Sequence, residues 1–262
     1  MPNGLTVAAV HLRVSALNEF QYRSNFFLQV LQSLIQVVSG LVVVALVYDK
    51  TSQLNGWDRS ELLAAVGVFT IVGGLVRAFI EPSILQLMDD VQEGTFDFVL
   101  TRPVDPLLLV SVRRLNVWQL ADVVVGAIIV VVAAADLPAS FGPAAAAVFV
   151  ALLGSAALIA HSMWLAVACC AFWVVRLPYM QNLFHYVGRS AQYPISIYPA
   201  WLRIGLTVVV PLGIAVTAPS EAVTSRLDAT TVAVVAAVTI GTVVLSRALW
   251  RRGLRRYSGA SS

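Results

Sequence analysis

Charge is scarce in this 262-residue chain: Asp, Glu, Lys and Arg make up 12% of it, where a soluble domain carries about 25%. A water-soluble globule of this length needs polar surface to meet its solvent, so lipid must be the solvent for much of the molecule. Lysine is scarcer still. The single one, Lys50, stands in Asp49-Lys50-Thr51 with no glycine-rich run before it. A Walker-type phosphate loop needs a lysine after a glycine-rich turn, so that route to ATP hydrolysis is closed to this chain. The two cysteines, Cys169 and Cys170, are adjacent. Neighbours in sequence rarely meet disulfide geometry, and in their apolar setting they read as small buried side chains. Three histidines and two adjacent cysteines give no metal-ligand spacing, and HExxH, HxxEH and CxxC patterns are absent.

What is abundant is apolar sequence, 59% of residues. A membrane-spanning helix takes about 20 of them. Phe26 to Val47, Leu62 to Ile80, Val117 to Ala135, and Ala144 to Trp173 read as the first four spans, and Thr230 to Leu249 as the last. The fourth is too long to stand upright, so it tilts or extends beyond the bilayer. Asn55-Gly56 marks a turn between the first two. Val174 to Ala218 is interrupted by Pro178, Pro194, Pro199 and Pro211 and by Arg176, Arg189 and Arg203. It fits either a fifth span at Ile204–Ala218, or one near Leu183–Ile197 followed by a broken, re-entrant segment through Pro211. Irregular backbone at membrane depth is tolerated only where protein or a water-filled cavity surrounds it.

Residues 1–25 do not have the pattern of a cleaved signal peptide, since Arg13, Glu19 and Arg23 interrupt the apolar residues. In helical projection Leu5, Ala9, Leu12, Ala16, Leu17 and Phe20 share one arc, interrupted by Arg13, and His11, Ser15, Asn18 and Glu19 lie opposite. This predicts an interfacial helix on the membrane surface. With six spans and both termini cytoplasmic, eleven arginines fall inside and three basic residues (Lys50, Arg59, Arg226) outside; Arg77, Arg189 and Arg203 are left unassigned. That bias follows the positive-inside rule, and an odd number of spans would place the arginine-rich tail, residues 250–262, outside. The net charge of +3 therefore reflects topology and gives no reason to expect nucleic acid.

The longest charged segment, residues 81–116, lies between the second and third spans and predicts two short cytoplasmic helices. Pro82 suits a first helical turn, Gly94 can break the chain, and Thr95 can cap the second of the two helices. Phe96, Phe98, Val99 and Leu100 are apolar side chains in a cytoplasmic loop, and such side chains dock against something. Within the spans, Arg77 and Asp122 are the charges that most need explaining, because an intramembrane charge costs roughly 2.5–3.5 kcal/mol on insertion scales. Arg77 can snorkel or pair with Glu81 one turn on. Alternatively, it can bridge to Asp122 between the second and third spans. His161 in the fourth span reads as a hydrogen-bonded helix contact.

Glu93-Gly94-Thr95-Phe96-Asp97, with Thr101-Arg102-Pro103 downstream, resembles the Glu-x-Gly-Thr-x-Glu…Leu-x-x-Pro pattern of type-2 ATP-binding-cassette exporter permeases, Asp97 standing where Glu is commoner. Tyr193-Pro194-Ile195-Ser196-Ile197-Tyr198-Pro199, followed by Trp201-Leu202-Arg203 and Pro211, is similar to the segment before the last span in a six-span bacterial subfamily of these permeases. The resemblance covers nearly the whole chain, with its motifs in the expected order. It implies one all-α permease domain, residues 1–262, in the bacterial cell membrane: six transmembrane helices, a cytoplasmic coupling helix and a re-entrant segment over 199–218. The permease would pair with a second copy or a similar permease, and with a cytosolic ATPase that binds ATP and Mg; no cofactor is expected in this chain. Glu93, Gly94, Thr95, Phe96, Asp97, Phe98, Leu100 and Arg102 would form the ATPase-coupling element. Tyr193, Pro194, Tyr198, Pro199 and Pro211 would form the outer gate.

Two other classes compete. A membrane-embedded enzyme, such as a lipid-modifying transferase or an intramembrane protease, needs paired catalytic groups in the spans, and these are missing from the sequence. An ion-driven secondary carrier often shows two similar halves with matching interrupted helices, whereas here the interruption occurs once. The substrate is not legible.

Overall fold

The computed structural model describes residues 23–137, 142–173, 193, 194, 197–202, 205 and 211–257. Of the interfacial helix predicted over residues 1–25, residues 1–22 lie outside these, as does part of the predicted re-entrant segment. The described residues form helices and connections. Their one β feature is an isolated bridge, Leu54 with Trp57, across the turn where Asn55 and Gly56 both take positive φ. Such a pair makes the tight reversal that the sequence signals there.

Among the described residues nine α-helices succeed one another: α1 Arg23–Tyr48, α2 Arg59–Leu75, α3 Glu81–Glu93, α4 Asp97–Leu100, α5 Pro106–Ser111, α6 Leu120–Ala135, α7 Pro143–Cys169, α8 Leu212–Val223 and α9 Ala229–Arg256. A π-helical turn, Val76–Ile80, fuses α2 to α3, and 3-10 turns at Val117–Gln119 and Cys170–Phe172 precede α6 and extend α7. Five of the described helical stretches are long and apolar enough to cross a membrane: Gln29–Tyr48, Arg59–Glu93, Val117–Ala135, Pro143–Phe172 and Ala229–Arg256. The chain is thus a multi-pass, all-helical membrane protein. At one end lie α3–α5 and, at the opposite or far end, the 49–58 turn.

Two sequence expectations change. The second span does not stop at Ile80: helix continues to Glu93, so the segment after it begins as a rigid extension of the span. The reason lies at Pro82, which has no N–H to return to Ala78. The freed Ala78 carbonyl instead accepts the N–H of Asn116 at 2.9 Å, and the helix passes through its π turn unbroken. Likewise the helix of the last span does not stop at Leu249, because α9 carries Arg251, Arg252, Arg255 and Arg256 as helix.

The closest helix pairing joins α2 and α6. A Cβ on Gly126 would lie 2.7 Å from the Gly67 carbonyl and 2.8 Å from Ile71, and one on Gly74 2.9 Å from Val123. Small residues let spans approach where lipid supplies no hydrophobic drive between helices. Ala64, Val68, Ile71 and Val72 of α2, Val130 and Ala133 of α6, Ala156 and Ile159 of α7, and Ala215, Val216 and Val223 of α8 form the central core. By contrast α1 and α9 expose most of their length: Leu31, Leu34, Ile35, Val38 and Leu46 on one, Ile240, Val244 and Leu245 on the other.

Candidate functional site

The predicted coupling element is built around a buried acid. Gly94 ends α3 at φ 73°, a left-handed turn that glycine takes without penalty. The reversal brings the Phe96 N–H to the Asp90 carbonyl at 3.1 Å. Asp90 is 4% exposed. Its carboxylate accepts from Gln86 Nε2 at 2.7 Å and Thr95 Oγ1 at 3.3 Å, and it pairs with the Arg113 guanidinium. Four partners from both sides of the turn therefore converge on one residue. Thr95 does not cap the second helix as the sequence predicts: its hydroxyl turns back to Asp90, and the residue before α4, Phe96, offers no side-chain cap. Farther along, Ser83 Oγ donates to the Arg114 carbonyl at 2.9 Å and receives the Arg114 N–H at 3.0 Å. Asp105 caps α5 through the Leu107 N–H at 2.9 Å. His161 of α7 lies 2.9 Å from Ser111 at the end of α5.

Phe96 is a further correction. The sequence assigns it to a surface that a partner protein covers, but the chain itself buries it completely, among Phe172, Trp250 and Tyr257. Val99, 2% exposed, points inward with it. Phe98 and Leu100 point the other way, 71% and 38% exposed, and Glu93, Thr101, Arg102 and Pro103 are exposed beside them. Gly94, Thr95 and Asp97 are half-buried. The Tyr257 phenol is held above its usual range, first by burial and then by the neighbouring Asp97 carboxylate.

Arg77 and Asp122 meet. A guanidinium nitrogen of Arg77 lies 2.5 Å from Asp122 Oδ2, and Arg77 Nε donates to Gln119 Oε1 at 3.0 Å. Ser33 of α1 donates to the other oxygen of Asp122, so the cluster ties the first three spans together. The Asp122 side chain is 3% exposed and that of Arg77 27%.

A third ion pair, at the far end, had no signal in the sequence. Arg226, in the turn between α8 and α9, makes two 2.6 Å bonds to the Glu61 carboxylate. It also donates to the Gly56 carbonyl at 2.5 Å and lies 5.1 Å over the Trp57 ring. Glu61 in turn accepts the Asp58 N–H at 2.7 Å, closing a capping box at the start of α2. Each partner alone reads as a loop charge; only the fold brings positions 61 and 226 together.

Of the predicted outer-gate residues, Tyr193 is half-buried at the far end, where it and Ile197 pack on Val44, Leu62 and Val66. Pro194 is buried, Tyr198 half-buried and Pro199 exposed. Pro211 is buried and immediately precedes α8. With 12 residues, α8 is about 18 Å long, just over half of the roughly 30 Å hydrocarbon thickness.

Neither a curated protein nor a solved structure matches this chain. A family model described as ABC-2 family transporter protein matches residues 34–261.

Proposed function

Because the chain belongs to the ABC-2 family of transporter proteins and is a transport permease of the membrane, we propose that it is the transmembrane subunit of an ATP-driven exporter. In this reading α4 and the turn after it seat on a cytosolic ATPase, which binds the ATP and Mg. The observation that carries it is Phe98, 71% exposed on a short helix whose other face is locked into the protein. An aromatic side chain left open to water on a rigid support is what a docking partner would cover.

The exposed apolar faces of α1 and α9 leave room for a second permease copy as well as lipid. Six crossings are supported by the two ends of the 174–192 segment. Trp173 comes directly after α7 at the α3–α5 end, while Tyr193 packs at the far end. Nineteen residues separate these two ends, close to the roughly 20 that a crossing takes. The short α8, which returns to the far end at Val223, suits a re-entrant segment that dips in and comes back. Both termini are then cytoplasmic, in a bacterial cell membrane.

The test is capture. A tagged permease solubilised from its native membrane should bring down an ATPase subunit and show ATP hydrolysis. The double variant Phe98→Ala, Leu100→Ala should lose most of the captured ATPase at unchanged permease yield. Equal capture by the variant would show that α4 is not the coupling element.

A further inference from the structure

We infer that Phe96 is a positioning residue, and that the four-ring cluster of Phe96, Phe172, Trp250 and Tyr257 sets how α4 is presented to whatever docks on it. The exposed face of α4 is then governed by the ends of α7 and α9, which lie far along the chain, and not by α3 alone. A helix of four residues has no stability of its own, since nucleation is unfavourable and isolated helices below about 12–15 residues are marginal. Something outside it must hold its orientation. Asp90 fixes the turn that precedes it, and the rings fix its inner face.

The Phe96 ring meets Phe172, Trp250 and Tyr257 at centroid distances of 5.9, 6.0 and 5.3 Å, with interplanar angles of 65°, 85° and 86°. Phe172 also meets Trp250 at 5.9 Å and Tyr257 at 6.0 Å. These are edge-to-face contacts, which prefer a defined geometry, so a ring that shifts takes its neighbours with it. Gly253 of α9 completes the arrangement. A Cβ there would collide with the Phe172 ring edge at Cδ2 and stand 3.0 and 3.1 Å from Cε2 and Cγ. Absence of a side chain at 253 is therefore what lets Phe172 enter.

The consequence for coupling rests on the exporter proposal, but the positioning is measurable on the permease alone. In a cysteine-free background (Cys169→Ala, Cys170→Ala) reconstituted in lipid nanodiscs, a nitroxide is placed at Phe98→Cys and, as a far-end control, at Ser52→Cys. Gly253→Ala should raise the mobile fraction of the spectrum at 98 roughly two-fold on the nanosecond scale and leave that at 52 unchanged. Alanine is the better helix former, so the change cannot come from weakening α9. Tyr257→Leu should act in the same way, while Tyr257→Phe, which keeps the ring, should match the parent. Unchanged spectra at 98, or an equal rise at 52, would overturn the inference. Either result would leave the exporter proposal standing, whereas failure to capture an ATPase would overturn that proposal and leave these spectra as they are.

Discussion

Arg77 and Phe96 show what individual side chains contribute. Asp122 is almost fully buried, its two oxygens are taken by Arg77 and Ser33, and Gln119 holds the arginine in place. A buried charge stripped of its partner is costly, so the losses from Arg77→Ala and Asp122→Ala should sum to more than the loss of the double variant. A double-mutant cycle by thermal unfolding in detergent should give a coupling of about 0.5–3 kcal/mol; strictly additive losses would mean the ion pair contributes nothing. Phe96 and Phe98 make the complementary case. Phe96→Ala should cost about 3–5 kcal/mol, as loss of a buried ring does, whereas Phe98→Ala should stay within about 0.5 kcal/mol in the isolated permease. The same unfolding measurement checks both. Sequence places both phenylalanines in one apolar cluster and cannot separate them, because the rings that bury Phe96 lie at positions 172, 250 and 257. The Glu61–Arg226 pair is hidden for the same reason.

Helices are far more legible than their joints. Continuous apolar runs locate α1, α2, α6, α7 and α9 because a run of that length with at most one charge has nowhere to go but lipid. The joint at Pro82 is not legible: proline ordinarily marks a helix start, but here the carbonyl it orphans finds Asn116, a partner that periodicity cannot reveal. Close packing of α2 on α6 makes a test at this scale. Gly126→Ala gains about 1 kcal/mol in helix propensity but places a methyl 2.7 Å from the Gly67 carbonyl. Net destabilisation of about 1–3 kcal/mol, typical of overpacking, should appear as a lower melting temperature; a rise would show that the helices can part without loss. The start of α9 gives a second test. Asp228 caps it through the Thr231 N–H at 2.6 Å, and bonding to Thr231 holds its carboxyl below the usual value. A depressed carboxylate stabilises the fold above its unfolded pKa, and that contribution disappears as pH falls through the folded one. Asp228→Ala should therefore melt lower than the parent at neutral pH, with the gap closing in acid. A gap independent of pH would mean the carboxylate charge is not what caps α9.

For the molecule as a whole, the proposed topology puts the 49–58 turn outside the cell and the end of α9 inside. In intact cells an impermeant thiol reagent should label Ser52→Cys and spare Arg255→Cys, both exposed positions, in a background lacking Cys169 and Cys170. The reverse pattern would invert the permease. In the sequence this orientation is an expectation that rests on arginine bias. The short α8 is not legible there, because the prolines of residues 194–219 fit both a span and a re-entrant segment.

The unbroken rod from Arg59 to Glu93 also has a mechanical consequence. At about 1.5 Å per residue, some 20 Å of it lies beyond Ile80 and roughly 30 Å before it. A rod of this kind has no loop between its ends to absorb a push, so the push must be met by the helix itself, at its π turn or by a swing of the whole. With its fulcrum near the π turn, a swing of about 10° that moves Gly94 by roughly 3 Å carries Arg59 through about 5 Å in the opposite direction. Were the rod to pivot there as one body, its longer arm would lie in the membrane, and a small displacement at one surface would be enlarged at the other.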